Sequence, residues 1–256
     1  MNVKVALNIP DCHIPWQSES NYSIMLEVAK DIDKQFGLTE INIMGDFLDF
    51  LWLGLHPKMP SLMSVKETLK DEIYQGIKKL EELRLLFPDA TINYIEGNHE
   101  YRLVRYIVAK CPELYDLFTL SDILQFDRLS INHIPFGKHQ KHNCLDTGYF
   151  LRHQPYNMGK NCASGTAHSK GISLGFGHTH RKQTYTIKRG DGTEVECRSL
   201  GWLGDRTAPV FDYVDHDDWT SGFEVVFSVD GKWFPHYIDI KDNKAVFNGY
   251  VYHKKG

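Results

Sequence analysis

Nine polar residues stand at or just beyond the ends of apolar runs. Asp11 and His13 follow Val3–Ile9, Asp46 and Asp49 follow Ile41–Met44, and Asn98 and His99 follow Thr91–Ile95. His153 ends the run from Tyr149, and His178 and His180 follow Ile172–Phe176. Carboxylates and imidazoles gathered at one place repel and lose hydration unless a cation neutralises them. Mixed oxygen and nitrogen donors suit a divalent transition metal, Mn²⁺ first with Fe, Ni²⁺, Co²⁺ or Zn²⁺ as alternatives, rather than Ca²⁺. Nine residues exceed the needs of one ion. Two ions about 3.5–4 Å apart, sharing a carboxylate, would use them and would suit hydrolysis of a phosphate ester. Taken singly, each histidine is more simply a surface or hydrogen-bonded imidazole. The ordered set is what points to a site.

The elements that must carry these residues follow from periodicity. In Asp11-Cys12-His13 the i, i+2 spacing turns the outer two side chains to one side and Cys12 away, to pack behind them. Ile24, Val28, Ile32 and Phe36 recur every four residues, so Ser20–Phe36 reads as a helix stopped by Gly37. Gly45 allows a tight turn that projects Asp46 over its strand end. Residues 51–63, with Pro57 and Pro60, read as a loop. Ser64 and Glu67 form a capping-box pattern opening a helix to about Phe87, stopped by Pro88. Gly97 frees the chain to turn Asn98 and His99 toward the site, and Tyr101–Lys110 continues as helix. Glu100 is explained by the helix macrodipole.

From Ile131 the pattern is β, with runs near Ile131–Ile134, Gly148–His153, Gly171–Phe176, Gln183–Lys188, Glu194–Arg198, Phe223–Val229, Trp233–Ile240 and Ala245–Tyr252. Residues 137–143 and 157–170 read as surface loops. A βαβαβα first half followed by a strand-rich second half predicts α/β architecture: two sheets packed face to face with helices outside, in a single domain over residues 1–256.

Bulk numbers narrow the function classes. The 256 residues are 42% hydrophobic and carry a formal charge of −4, so the chain folds around a core and has no global basic footprint for nucleic acid. Five cysteines without a CxxC pair indicate reduced thiols and a cytosolic compartment. No apolar stretch is long enough to span a membrane. No Gly-x-Ser-x-Gly or cysteine motif suggests a covalent route.

Asp11-x-His13, Gly45-Asp46-x-x-Asp49, Gly97-Asn98-His99-Glu100, His153 and Gly177-His178-x-His180 resemble, in order, the five motifs of the calcineurin-like metallophosphoesterase superfamily. The resemblance spans most of the chain. It implies a four-layer α/β/β/α sandwich of two mixed sheets with a dinuclear metal site at the strand ends. By it, Asp11, His13 and His180 hold one ion, Asp46 bridges, and Asn98, His153 and His178 complete the second. His99 stands over the phosphate as proton donor or charge stabiliser, and Asp49 orients it. The implied attack is by a metal-bridging hydroxide on a phosphomonoester or phosphodiester, nucleotides among the candidates. A DNA or RNA nuclease of the same superfamily is the alternative, and an inactive binding scaffold the remote one. Protein Ser/Thr phosphatases of this group follow the second Asp of the second motif with a phosphate-gripping Arg. Here that residue is Phe50, and the motifs look more like those of small stand-alone enzymes of bacteria and their phages, which implies a bacterial or, if phage-encoded, host cytoplasm.

Other residues carry weaker signals. Arg102, Arg105, Arg152, Lys160, Lys170 and Arg181 lie near motifs in sequence, as a basic rim or as solvated charge. Trp202 and Trp219 flank loops after the last motif, as core residues or as a stacking surface for a base. His56, His133, His139, His142 and His168 have no motif position.

Overall fold

The computed structural model describes residues 2–54, 65–214 and 218–254. Four parallel strands, β1 (Val3–Ile9), β2 (Glu40–Ile43), β3 (Thr91–Ile95) and β4 (Ile131–Ile134), form one half of an eight-stranded sheet. Antiparallel β10 (Gly222–Val229), β11 (Lys232–Lys241), β12 (Lys244–Phe247) and β13 (Tyr250–His253) extend it beyond β1. A five-stranded sheet runs in the order β5 (His142–Cys144), β6 (Tyr149–Arg152), β7 (Leu174–Phe176), β9 (Glu194–Leu200), β8 (Lys182–Lys188). It is also mixed, with β6, β7 and β9 parallel.

The layers follow from where apolar side chains meet. Ala6, Met44, Ile95 and Val226 of the large sheet pack on Tyr149, Leu151 and Leu200 of the small one, forming the inter-sheet core. On its other face the large sheet is covered by α1 (Glu19–Phe36), α2 (Leu69–Leu86) and α3 (Arg102–Lys110), whose Ile24, Val28, Ile32, Leu80, Leu83, Leu103 and Ile107 join Leu7, Ile41 and Ile92. The outer face of the small sheet is covered by α6 (Cys162–Lys170) through Cys162, Ala163 and Ala167 against Leu174 and Phe176. The order is helix, sheet, sheet, helix, as expected. Two short helical turns, α4 (Leu120–Ile123) and α5 (Phe126–Leu129), lead into β4.

Between the sheets runs a ladder of amides. Asn8, Asn42, Asn93 and Asn132 pair in register across β1 to β4, each amide donating to the next at 2.8–3.1 Å, and Asn8 donates to Glu224 on β10 at 2.9 Å. Glu224 in turn accepts from Tyr149 and Arg198 of the small sheet. A slip of one residue in any strand would move its asparagine to the apolar face.

Several local expectations are corrected. The helix expected from Ser64 starts at Leu69: Thr68 accepts from the Asp71 amide at 3.2 Å and donates its own to Asp71 at 2.9 Å. Ser64, His56 and residues 55–63 of the expected loop lie outside the described residues. The segment 157–170, expected as loop, contains α6; its alanines, serine and glycine carry too little apolar bulk to show a helical stripe, yet allow close packing on the sheet. Gly171, expected to open a strand, is the left-handed cap of α6 instead. The run Ala245–Tyr252 is a hairpin, β12 and β13, turned by Asn248-Gly249, both at positive φ.

Candidate metal centre

All nine motif residues lie at one end of the inter-sheet space, past the carboxyl ends of β1, β2, β3, β6 and β7. The loops after β1 and β2 are zipped together: His13 N donates to Asp46 O at 2.9 Å, Ile14 N to Phe47 O at 2.8 Å, and Asp49 N to Ile14 O at 3.0 Å. His13, Asp46, His178 and His180 all take left-handed backbone, with φ between 47° and 66°. Such conformations are costly for residues with a Cβ and cluster at functional sites. Gly97 is held by crowding: a Cβ there would lie 2.2 Å from Asp46 N and 2.3 Å from its Oδ1. Gly45 takes φ +86°, the tight turn anticipated for it.

Donor atoms of Asp11, His13, Asp46 and His180 lie within 4.8 Å of one another, as do those of Asp46, His153 and His178. Asp46 belongs to both groups. His13 Nε2 and His180 Nε2 are 3.0 Å apart, and His180 Nε2 is 3.6 Å from Asp11 Oδ1. His153 Nε2 is 3.2 Å from Asp46 Oδ1 and 2.9 Å from Asn98 Oδ1. The other ring nitrogens of two histidines are committed elsewhere. His153 Nδ1 faces the Met44 carbonyl at 2.8 Å, and His13 Nδ1 faces Asp49 Oδ1 at 2.9 Å. Those partners assign the proton to Nδ1 and leave Nε2 to the cluster.

Asp49 does more than the orientation of His99 foreseen for it. The same Oδ1 lies 2.9 Å from His99 Nδ1, which also faces the Asp49 carbonyl at 2.8 Å, so carboxylate and carbonyl of Asp49 together orient the second ring. Burial opposes its ionisation, but His99 and His13 outweigh that and hold it well below the usual carboxylate range. His99 is drawn two ways. Burial favours the neutral ring, but the carboxylates of Asp46 and Asp49 outweigh it and raise His99 above its ordinary value. Arg102 Nη2 stands 3.0 Å from His99 Nε2. A guanidinium only donates, so this geometry fits a neutral ring with its lone pair on Nε2.

Burial and mutual contact shift most of the titratable groups of the cluster. Burial lifts Asp11 to about 7, with Asp46 adding to the rise and His153 and His13 opposing it. Burial opposes charge on Asp46 too, but His153 and His99 keep it well below its ordinary value. His153 is pushed up to about 9, because Asp46 and Asp11 overcome the effect of burial. Burial, reinforced by His153, takes His178 and His180 down to about 3. His178 Nδ1 is buried without a hydrogen-bond partner.

Two residues that build the site escape the sequence pattern. Glu100 does not open a helix, since α3 starts at Arg102. It is fully buried and accepts from the amides of Asp46, Phe47, Leu48 and Gly97 at 2.7–3.0 Å and from Tyr94 Oη at 2.9 Å. It is thus the anchor of the Asp46 turn. Glu72, in the first turn of α2, is 2% exposed and accepts from the Phe50 amide. An acidic residue on the helix face that also carries Gly76, Leu80 and Leu83 is the signal that could have revealed it.

A cleft of about 270 Å³ opens over Asp46, His99, His178 and His180, with Tyr213, Trp219, Met158 and Arg181 on its walls. Trp202 is buried behind the site, stacked on His180 with ring centres 4.9 Å apart, so of the two tryptophans only Trp219 meets the cleft. Of the basic residues near motifs, Arg102 reaches the site and Arg181 its wall, where it pairs with Asp218. Arg152 lies buried over the Tyr156 ring, and Lys170 lies over the same ring. Arg105 and Lys160 are exposed. His168 is exposed on α6, facing the Ser164 carbonyl.

No family model matches the chain, and no curated protein matches it. Among solved structures, vacuolar protein sorting 29 from Cryptosporidium parvum aligns over 98% of this chain and 99% of its own, at 12% identity and a TM-score of 0.48. Vps29 of Chaetomium thermophilum aligns over 99% and 96%, at 11% identity and a TM-score of 0.41. Both are too distant to bear on what this chain does. No helix among the described residues is long and apolar enough to cross a membrane.

Proposed function

We propose that this protein hydrolyses phosphate esters with two divalent transition-metal ions, Mn²⁺ foremost. The observation that carries the reading is the pair of donor groups sharing Asp46. Asp11, His13 and His180 would hold one ion, and Asn98, His153 and His178 the other, with the Asp46 carboxylate common to both. The donor set fits: two carboxylates, an amide oxygen and four imidazoles, two of which, His13 and His180, face each other Nε2 to Nε2 at 3.0 Å. When bound, such ions supply Lewis acidity that activates water and neutralises the phosphate.

The chain's own residues do the rest. Asp49 fixes Nδ1 of His99, which leaves Nε2, 3.8 Å from Asp46 Oδ2, as the ring atom that meets a leaving oxygen. There the ring, in its protonated form, would donate its Nε2 proton or stabilise developing charge. Glu100 and Glu72 hold the Asp46–Phe50 turn by its amides, so Asp46 and Asp49 stay in place while charge develops. The test is hydrolysis of aryl phosphate mono- and diesters with Mn²⁺ present. Wild type should turn over at least one of the two, and Asp46→Asn should lose all metal-dependent turnover. Full activity in that variant would sink the reading. Extending the panel to nucleotides, cyclic nucleotides, single strands and duplexes separates a small-molecule phosphatase from a nuclease.

A further inference from the structure

Resting on the phosphoesterase reading, we infer that Arg102 is the residue that grips the substrate phosphate. The position after Asp49 supplies no cation, because Phe50 is fully buried and its amide is held by Glu72. Arg102 reaches Asp49 and His99 from the first turn of α3. Its Nη1 donates to the Asp49 carbonyl at 2.9 Å and its Nη2 to His99 Nε2 at 3.0 Å. Neither partner carries a full charge. The carboxylate near it, Asp49 Oδ2, is 3.9 Å away, and Oδ1 of the same group is already shared by two imidazoles.

A guanidinium so placed is half-spent. It has five N–H donors in a planar fork, and its side chain keeps 24% exposure at the rim of the centre. A phosphoryl group seated over the ions beside His99 would offer the paired anionic oxygens that this fork fits, a stronger match than a neutral ring nitrogen. Of the other arginines near motifs, Arg181 pairs with Asp218, Arg105 is exposed, and Arg152 lies over the Tyr156 ring with Nε and Nη1 buried and unpartnered.

The experiment uses the full chain loaded with Mn²⁺ and inorganic phosphate as the probe, read by calorimetry and by inhibition of aryl phosphate hydrolysis. Arg102→Ala should weaken phosphate binding about 10- to 100-fold. Arg102→Lys, which keeps the charge and lacks the fork, should lose less. Mn²⁺ content should be unchanged in both, and KM should rise more than kcat falls. Wild-type phosphate affinity in Arg102→Ala overturns the assignment of Arg102 alone. Loss of Mn²⁺ from both variants also overturns it, by making the residue structural. A wild type that holds Mn²⁺ but neither binds phosphate nor cleaves the ester overturns the phosphoesterase reading with it.

Discussion

Strands β1, β2 and β3 each carry a polar side chain inside the sandwich and one or more just past the strand end. Inside stand Asn8, Asn42 and Asn93; beyond the ends stand Asp11 and His13, Asp46 and Asp49, Asn98 and His99. The two assemblies share strands and burial but differ in closure. In the ladder each amide finds a neighbour's oxygen, and the chain of bonds ends on Glu224, which Arg198 neutralises. In the cluster, His13 and His180 face each other Nε2 to Nε2, His178 Nδ1 has no partner, and four of the residues sit on left-handed backbone. A buried polar network that satisfies itself fixes register; one that does not is completed from outside. The difference separates scaffold from site without reference to any other protein.

If that separation is right, variants on the two sides should fail differently. The largest effect belongs to the cluster side. His99→Ala removes no donor assigned to an ion, so Mn²⁺ content should hold while turnover falls by about 10²- to 10⁴-fold. Metal loss in that variant, read by elemental analysis, would mean that the ring is a ligand. On the ladder side, Asn42→Ala strands Asn8 Oδ1 and the Asn93 amide, and should lower unfolding free energy by roughly 2–5 kcal/mol in urea titration. The folded fraction should still bind metal as wild type does; impaired binding would mean that the two assemblies are coupled.

The smallest effect is in pH, and its sign follows from His153. Its folded value of about 9 exceeds the ordinary 6.5. In the metal-free protein the charged His153–Asp46 pair therefore adds stability that is full below 6.5 and is lost as pH rises through about 9. Metal needs the neutral ring, so the loaded protein runs the opposite way. Apparent Mn²⁺ affinity should climb by up to ~10-fold per pH unit from neutrality toward 9 and then level off. Calorimetry at pH 7 in buffers of different ionisation enthalpy should register the displaced proton. Affinity that falls over this range would remove His153 from the ligand set.

The sequence discloses the two assemblies unequally. The cluster shows because its members follow strands at short, fixed spacings, such as Asp11-x-His13 and His178-x-His180. The ladder leaves a trace too: Leu7-Asn8-Ile9, Ile41-Asn42-Ile43 and Ile92-Asn93-Tyr94 each place an asparagine between apolar neighbours, and Asn132 follows Ile131. It is overlooked because asparagine in a strand reads as weak propensity until pairing supplies its partner. Glu72 and Arg102 are harder to find. Each sits on a helix where an acidic or basic residue is ordinary; tertiary packing turns Glu72 onto Phe50, while the turn ahead of α3 brings Arg102 onto His99, three residues before it. The helix α6 was hidden for the opposite reason, since small residues that pack closely show no period.

The most direct measurement is the metal content of the protein, wild type against Asp46→Asn, after loading with Mn²⁺ and removal of free ion. Two ions per chain in the wild type, and loss of one or both on substitution of the shared carboxylate, is the result expected. A wild type that retains no metal, or an Asp46→Asn protein that retains as much as wild type, would contradict the reading of this cluster as a two-metal centre.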